Sequence, residues 1–210
     1  MKGIRILALS FFYILTVSPS VFSQKKINLP LSKQIDSLKE EDQKPVKMKD
    51  KAVAEFQLAI HRNFPLVKNI LDKYDFPGYD LVGKESSDNY WILVQHSDFD
   101  LEFQKRALKL MKVQLDKSNA SGQYYAYLID RISINEGRPQ TYGTQVNMSE
   151  KGTKIKPCID TLTLDERRAS VGLPPIKEYL KKCDEAYYEM NKDHLNKPTI
   201  NTDSLKKNGR

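Results

Sequence analysis

The sequence predicts a mainly α protein, a single helical domain with a small β-hairpin or short strand pair near residues 132–146. Three observations lead there. Apolar residues recur at helical spacing along most of the chain from Leu31 onward. Proline and glycine clusters cut that pattern into lengths typical of globular helices. One stretch, Gln140–Val146, reads instead as an extended strand, with Ile132–Ile134 as its expected partner.

The first 23 residues have a different character. Lys2 and Arg5 precede 19 uncharged positions, Ile6 to Gln24, whose apolar part, Ile6–Val17, is short for a membrane span. Ser18-Pro19-Ser20 breaks that run, and Ser20-Val21-Phe22-Ser23 offers small residues at a cleavage site before Gln24. The expected organisation is a signal peptide over 1–23, a flexible arm over 24–30, the domain over 31–190 and a polar basic tail over 191–210. An uncleaved N-terminal anchor is the alternative; either way the remainder is expected to be exported, periplasmic or extracellular. No Cys follows the apolar run to carry a lipid anchor, and no later run of that kind occurs, so stable membrane insertion after cleavage is not expected.

Within the domain, Leu31, Ile35 and Leu38 predict a helix to about Gln43, and Lys44–Lys51 a charged link. Ala52–Arg62 predicts a second helix, with Asn63 capping a third over Leu66–Tyr74 near Pro65. Phe76–Gly83 reads as a loop. Asp88 to about Lys117 is periodic throughout, although Ser97-Asp98-Phe99-Asp100 is rich in capping residues and marks a second helix start at Leu101 as the alternative. Tyr124–Ile132 follows as a helix. Thr163-Leu164-Asp165-Glu166 has the form of a capping box, closed by Gly172 and Pro174-Pro175. Ile176–Lys192 is a last amphipathic helix.

Polar residues interrupt these patterns in four places. His96, Asp100 and Gln104, at i, i+4 and i+8, fall in the middle of an apolar arc made by residues such as Ile92, Leu93, Phe103, Ala107 and Met111. A buried polar group without a partner costs about 1–3 kcal/mol, so each must have one. Two readings stay open: a network tying helices together, or the lining of a pocket. Asp130 and Arg131, adjacent on a helix, point to different partners. In Gln140–Gln145, alternate residues share a face, and Gly143 permits close approach. Asp165-Glu166-Arg167-Arg168 is either a solvated first turn or part of the site.

Taken in order, Phe76-Pro77-Gly78 with Leu81-Val82-Gly83, Trp91–Asp98, Phe103-Gln104, Ala126–Arg131, Gly137–Gln140, Tyr142–Gln145, Asp165–Arg168 and Val171–Pro174 resemble an uncharacterised bacterial family of domains of unknown function. Asp42-Gln43 is similar to a shorter upstream motif, and the resemblance spans about residues 36–182. It implies a shared domain and a shared polar site but no activity. Carried over, that site comprises Gln95, His96, Asp98, Gln104, Asp130, Arg131, Gln140, Tyr142 and Gln145. Leu101 stands where the family is expected to carry proline, which favours a helix break at Ser97–Asp100.

The chemistry open to these residues is of two kinds. His96 suits general acid–base work, oriented by Asp98, Asp100 or Asp130, with Arg131 holding an anionic group. Gln95, Gln104, Gln140, Tyr142 and Gln145 would orient a polar substrate, and a hydrolase or lyase is the default class. The same residues equally suit a non-enzymatic module for a small polar ligand or peptide, because amides recognise rather than transfer protons. No nucleophile elbow, P-loop or dinucleotide-binding motif occurs, and no cofactor is expected; a metal held by His96, Asp98 and Asp130 is the lesser alternative, because only three His occur and none stands in H-E-x-x-H spacing. Cys158 and Cys183 are expected to pair in an oxidising compartment.

Net charge is +7. Without residues 1–23 it is +5, from 32 basic and 27 acidic residues. Residues 25–54 and 191–210 each carry +3, leaving 55–190 at −1. The excess lies at the ends rather than on a groove, and nucleic acid is not an expected partner.

Overall fold

The computed structural model describes residues 26–44 and 52–195. The expected signal peptide, most of the charged link and most of the basic tail lie outside these residues. The described residues form eight helices and one two-stranded antiparallel sheet. Among them no helix is long and apolar enough to cross a membrane.

Asn28 sits in the expected flexible arm, yet it is an ordered cap. Its Oδ1 accepts from Leu31 N at 3.2 Å and its N–H donates to Leu81 O at 2.8 Å. Helix α1, Leu29–Gln43, follows and buries Leu31, Ile35, Leu38 and Asp42 on one stripe. Helix α2, Ala52–Tyr74, is one continuous helix with Pro65 inside it, where two helices were expected. Asn63 is not a cap; it turns inward and donates to Leu38 O at 3.0 Å. Interior proline costs about 3 kcal/mol. Burying Ile60, Val67, Ile70 and Leu71 on one uninterrupted face yields about 1.5–3 kcal/mol each, so the helix runs through.

The Phe76–Gly83 segment contains a one-turn helix, α3, Tyr79–Val82. Gly78 suits this close approach: a Cβ would run into the Asn119 side chain and lie 3.0 Å from its backbone O. Asn119 uses its backbone O and Oδ1 to accept from Tyr79 N and Asp80 N, at 3.0 and 2.8 Å. Helix α4, Lys84–His96, packs mainly on α1 and also on α2. Tyr90, fully buried, donates to Val67 O at 2.9 Å, and Asp36 of α1 accepts from Ser86 and Asn89 of α4.

The long periodic stretch is broken at Ser97–Asp100. Asp100 Oδ1 accepts from Phe103 N at 3.0 Å and caps α5, Leu101–Leu115. Asp100 therefore serves as a cap instead of facing the interior. Helix α6, Gly122–Asn135, packs against α5. The core lies between these helices, around Ile35, Leu71, Phe76, Tyr90, Val94, Met111 and Leu128.

The sheet differs from expectation in place. Strand β1, Val146–Asn147, pairs with β2, Lys154–Ile155, in the register Val146↔Ile155. Ile132–Ile134 is the last turn of α6. Its carbonyls are taken by Glu136 N, Arg138 N and Gly137 N, which leaves no ladder for a partner strand. Gln140 makes only an isolated parallel bridge with Cys158.

Helix α7, Leu164–Ser170, starts at Thr163, but the capping box does not form: Thr163 Oγ1 bonds Asp160 and accepts from Arg167. Helix α8, Ile176–Leu195, ends the described chain. Cys158 and Cys183 are both free, not the expected bridge. Cys158 lies in the strand-like segment facing Gln140, and burial pushes its thiol above the ordinary range. Cys183 lies on α8, so the two thiols are held by different elements and do not reach bonding distance.

Candidate functional site

The candidate residues separate into two groups. The first gathers where α4 ends. His96, the last residue of α4, hydrogen-bonds through Nδ1 to Asp42 Oδ2 at 2.6 Å, across 54 positions of sequence. Asp42 is 1% exposed and the His96 side chain 20%. Gln43 Nε2 also donates to Asp42 Oδ2, at 2.9 Å. An ionised carboxylate only accepts, so Nδ1 of a neutral His96 carries the hydrogen and Nε2 bears the lone pair. Among the described residues Nε2 has no hydrogen-bond partner. Phe56 of α2 meets the imidazole edge-on, with ring centroids 5.1 Å apart.

The turn after His96 carries an ion pair. Asp98 Oδ2 accepts from Arg131 Nη2 at 2.6 Å, and both side chains are about one-third exposed. Arg131 Nε and Gln95 Oε1 are buried without a partner among the described residues. Gln104 is fully buried and donates both amide hydrogens to α4, to Val94 O at 3.0 Å and Gln95 O at 3.1 Å.

The second group holds the loop from Gln140 to Gln145. Asp130, fully buried, accepts from Thr141 N at 2.7 Å, Tyr142 N at 3.0 Å, Thr144 N at 2.9 Å and Thr144 Oγ1 at 2.9 Å. Gln140, also fully buried, donates to Gln145 O and Lys156 O, both at 2.9 Å, and accepts from Gln145 N at 2.8 Å. The carbonyls of the same loop go to two arginines. Arg167 Nε donates to Thr141 O at 2.9 Å, and Arg168 Nη1 to Tyr142 O at 2.6 Å. Arg168, 0% exposed, also donates to Pro174 O and lies over the Tyr179 ring at 4.9 Å. Burial pulls its guanidinium below the ordinary value and pushes the Tyr142 phenol above its own. Tyr179 OH closes the loop by donating to Thr144 O at 2.7 Å.

Gly143, at φ +67°, turns this segment where a side chain would be strained and would press on Ile176 and Leu164. Gln145 adds a side-chain bond to Thr144 Oγ1 at 3.2 Å. Asp130 and Arg131 thus serve different partners, the loop and Asp98. His96, Asp98, Arg131, Gln95 and Gln104 belong to the α4 terminus; Asp130, Gln140, Tyr142 and Gln145 belong to the loop.

Asp42 was not among the candidates, although a signal for it exists. Leu31, Ile35, Leu38 and Asp42 form one stripe at helical spacing, so a carboxylate occupies a core position of α1 just as His96 interrupts the apolar arc of α4. Surface clefts of about 370, 500 and 730 Å³ lie elsewhere; the second runs along the end of α1 by Gln43, and none is lined by His96. Among the described residues no three His, Cys, Asp or Glu side chains are grouped to hold a metal ion.

Neither a curated protein nor a solved structure matches the chain. Residues 54–192, about two-thirds of the chain, match the model of a family of unknown function (DUF6624), which leaves Asp42 outside the matched segment, and the chain belongs to that family.

Proposed function

We propose that the protein is an exported acid–base enzyme, of the hydrolase or lyase class, in which His96 transfers the proton. One observation carries this reading: a buried carboxylate, Asp42, at 2.6 Å from Nδ1 of a partly exposed imidazole. That arrangement fixes the tautomer with Nε2 as the base, and it stabilises the imidazolium formed when Nε2 takes a proton. Arg131, paired with Asp98 in the turn that follows His96, supplies positive charge for an anionic group of the substrate. The apolar N-terminal run with its small-residue exit supports the export.

A second reading, a non-enzymatic module for a small polar ligand or peptide, draws on Gln95 Oε1 and Arg131 Nε, polar atoms buried without partners among the described residues. Turnover separates the two. The wild-type chain, His96→Gln and Asp42→Asn are assayed on p-nitrophenyl esters, aryl phosphodiesters and peptide p-nitroanilides. Turnover of one class by the wild type, lowered about 10²–10⁴-fold in His96→Gln, is expected. Asp42→Asn should fall in the same direction with kcat reduced more than KM is raised. No turnover of any class, or a His96→Gln rate equal to that of the wild type, overturns the hydrolase reading.

A further inference from the structure

We infer that Gln104 is a positioning residue for His96, acting through the last turn of α4. The inference rests on His96 working through Nε2, as proposed above. A helix leaves its last carbonyls without intrahelical donors, and a following glycine or water ordinarily satisfies them. Here Ser97 N donates to Val94 O at 3.2 Å, and side chains do the rest. Ser97 Oγ donates to Leu93 O at 2.8 Å, and Gln104 Nε2 donates to Val94 O and Gln95 O at 3.0 and 3.1 Å. The two carbonyls held by Gln104 immediately precede His96 in the chain. Gln104 itself is anchored one turn into α5, where its N–H donates to Asp100 O at 3.1 Å. The end of α4, the Ser97–Asp100 elbow and the start of α5 therefore form one closed unit, and His96 is mounted on it.

The choice of glutamine argues that the donors matter. Gln104 is fully buried, and its Oε1 has no partner among the described residues. A residue needed only to fill this space would be apolar and would bury no orphaned oxygen. Gln104 accepts that cost while giving both amide hydrogens to the backbone next to His96. The result is directional: a 2.6 Å bond between Nδ1 and Asp42 requires the imidazole to lie in one plane and at one depth, and Asp42 belongs to another helix.

The test reads the imidazole directly. Long-range ¹H–¹⁵N correlation on the full-length chain, with the His96 signals assigned by their loss in His96→Gln, gives the tautomer ratio. In the wild type the Nδ1–H form dominates. In Gln104→Met the ratio of Nδ1–H to Nε2–H is expected to fall about fivefold, the worth of one ordinary hydrogen bond. Carbethoxylation of His96 by diethyl pyrocarbonate, read by peptide mass, changes with it. Ser97→Ala removes a donor from the same turn at Leu93 O, and it is expected to lower the melting temperature without moving the tautomer. Should Gln104→Met not fold, Gln104→Asn, whose amide is one methylene short of the two carbonyls, carries the same expectation. An unchanged ratio and reactivity in the folded Gln104 variant, or an equal change in Ser97→Ala, overturns the inference. The readout needs no substrate, so failure of the enzyme reading and failure of this one are told apart.

Discussion

The Gln140–Gln145 loop and the elbow between α4 and α5 are built from the same kinds of residue and use them in opposite ways. In the loop, backbone N–H groups go to Asp130 and carbonyls go to Arg167, Arg168 and Tyr179. Buried charge of both signs is committed to an irregular backbone, which otherwise could not lie against the protein interior without orphaned polar groups. At the elbow the bonds are fewer and the polar atoms are not all used. Nε2 of His96 has no partner among the described residues, and Gln95 Oε1 and Arg131 Nε are buried without one. Each region leaves polar atoms unmatched among the described residues, Arg168 Nη2 at the loop and Gln95 Oε1, Gln104 Oε1 and Arg131 Nε at the elbow; the difference teaches that the loop commits its charged side chains to backbone groups, whereas the elbow presents a partly exposed imidazole oriented by a buried carboxylate.

Three expected outcomes would break or sharpen this contrast, and the largest concerns Asp130. Asp130→Ala removes one carboxylate and strands the N–H groups of Thr141, Tyr142 and Thr144. A loss of about 3–5 kcal/mol in urea denaturation is expected, with the His96 tautomer ratio unmoved in the protein that remains folded. A loss below about 1 kcal/mol would show that the loop is not held from Asp130. A smaller effect is expected at Gly143. Gly143→Ala forces a side chain into a left-handed backbone and against Ile176 Cδ1 at 3.3 Å. The expected loss is about 1–2 kcal/mol, again by denaturation and again without change at His96. The smallest effect concerns the thiols. Because Cys158 and Cys183 are free, a reductant leaves the melting temperature unchanged and alkylation under denaturing, non-reducing conditions adds two labels. An unlabelled pair that appears only after reduction would restore the bridge.

Much of this was legible, for reasons that can be traced residue by residue. The i, i+4, i+8 spacing assumed one helix through Asp100, which is instead a cap; only the shorter pattern of Phe103, Ala107 and Met111 within α5 carries the inward placement of Gln104, which is fully buried. Adjacency on a helix placed Asp130 and Arg131 on different sides. The capping residues in Ser97–Asp100 carried the alternative that proved right, a helix ended and restarted by Asp100. Other features were not legible. Pro65 looked like a boundary because local propensity favours one, and the buried face that overrides it is a sum over positions on both sides. Arg168 looked like part of a solvated turn. It is buried because Leu164, one turn earlier, faces inward, and its long side chain reaches carbonyls at Tyr142 and Pro174.

By itself the sequence determined where the helices run, where most of them stop and which polar residues fall on apolar faces, because each of these depends on neighbours within a few positions. Tertiary structure alone decided the partners: Asp42 for His96, Asp98 for Arg131, the 140s backbone for Asp130 and Arg168, and no disulfide between Cys158 and Cys183. Partner choice depends on which segments are brought together over tens of residues and on how deeply each group is buried. Periodicity carries no record of either, and for that reason a stripe of Leu31, Ile35, Leu38 and Asp42 shows a buried carboxylate but not the imidazole it holds.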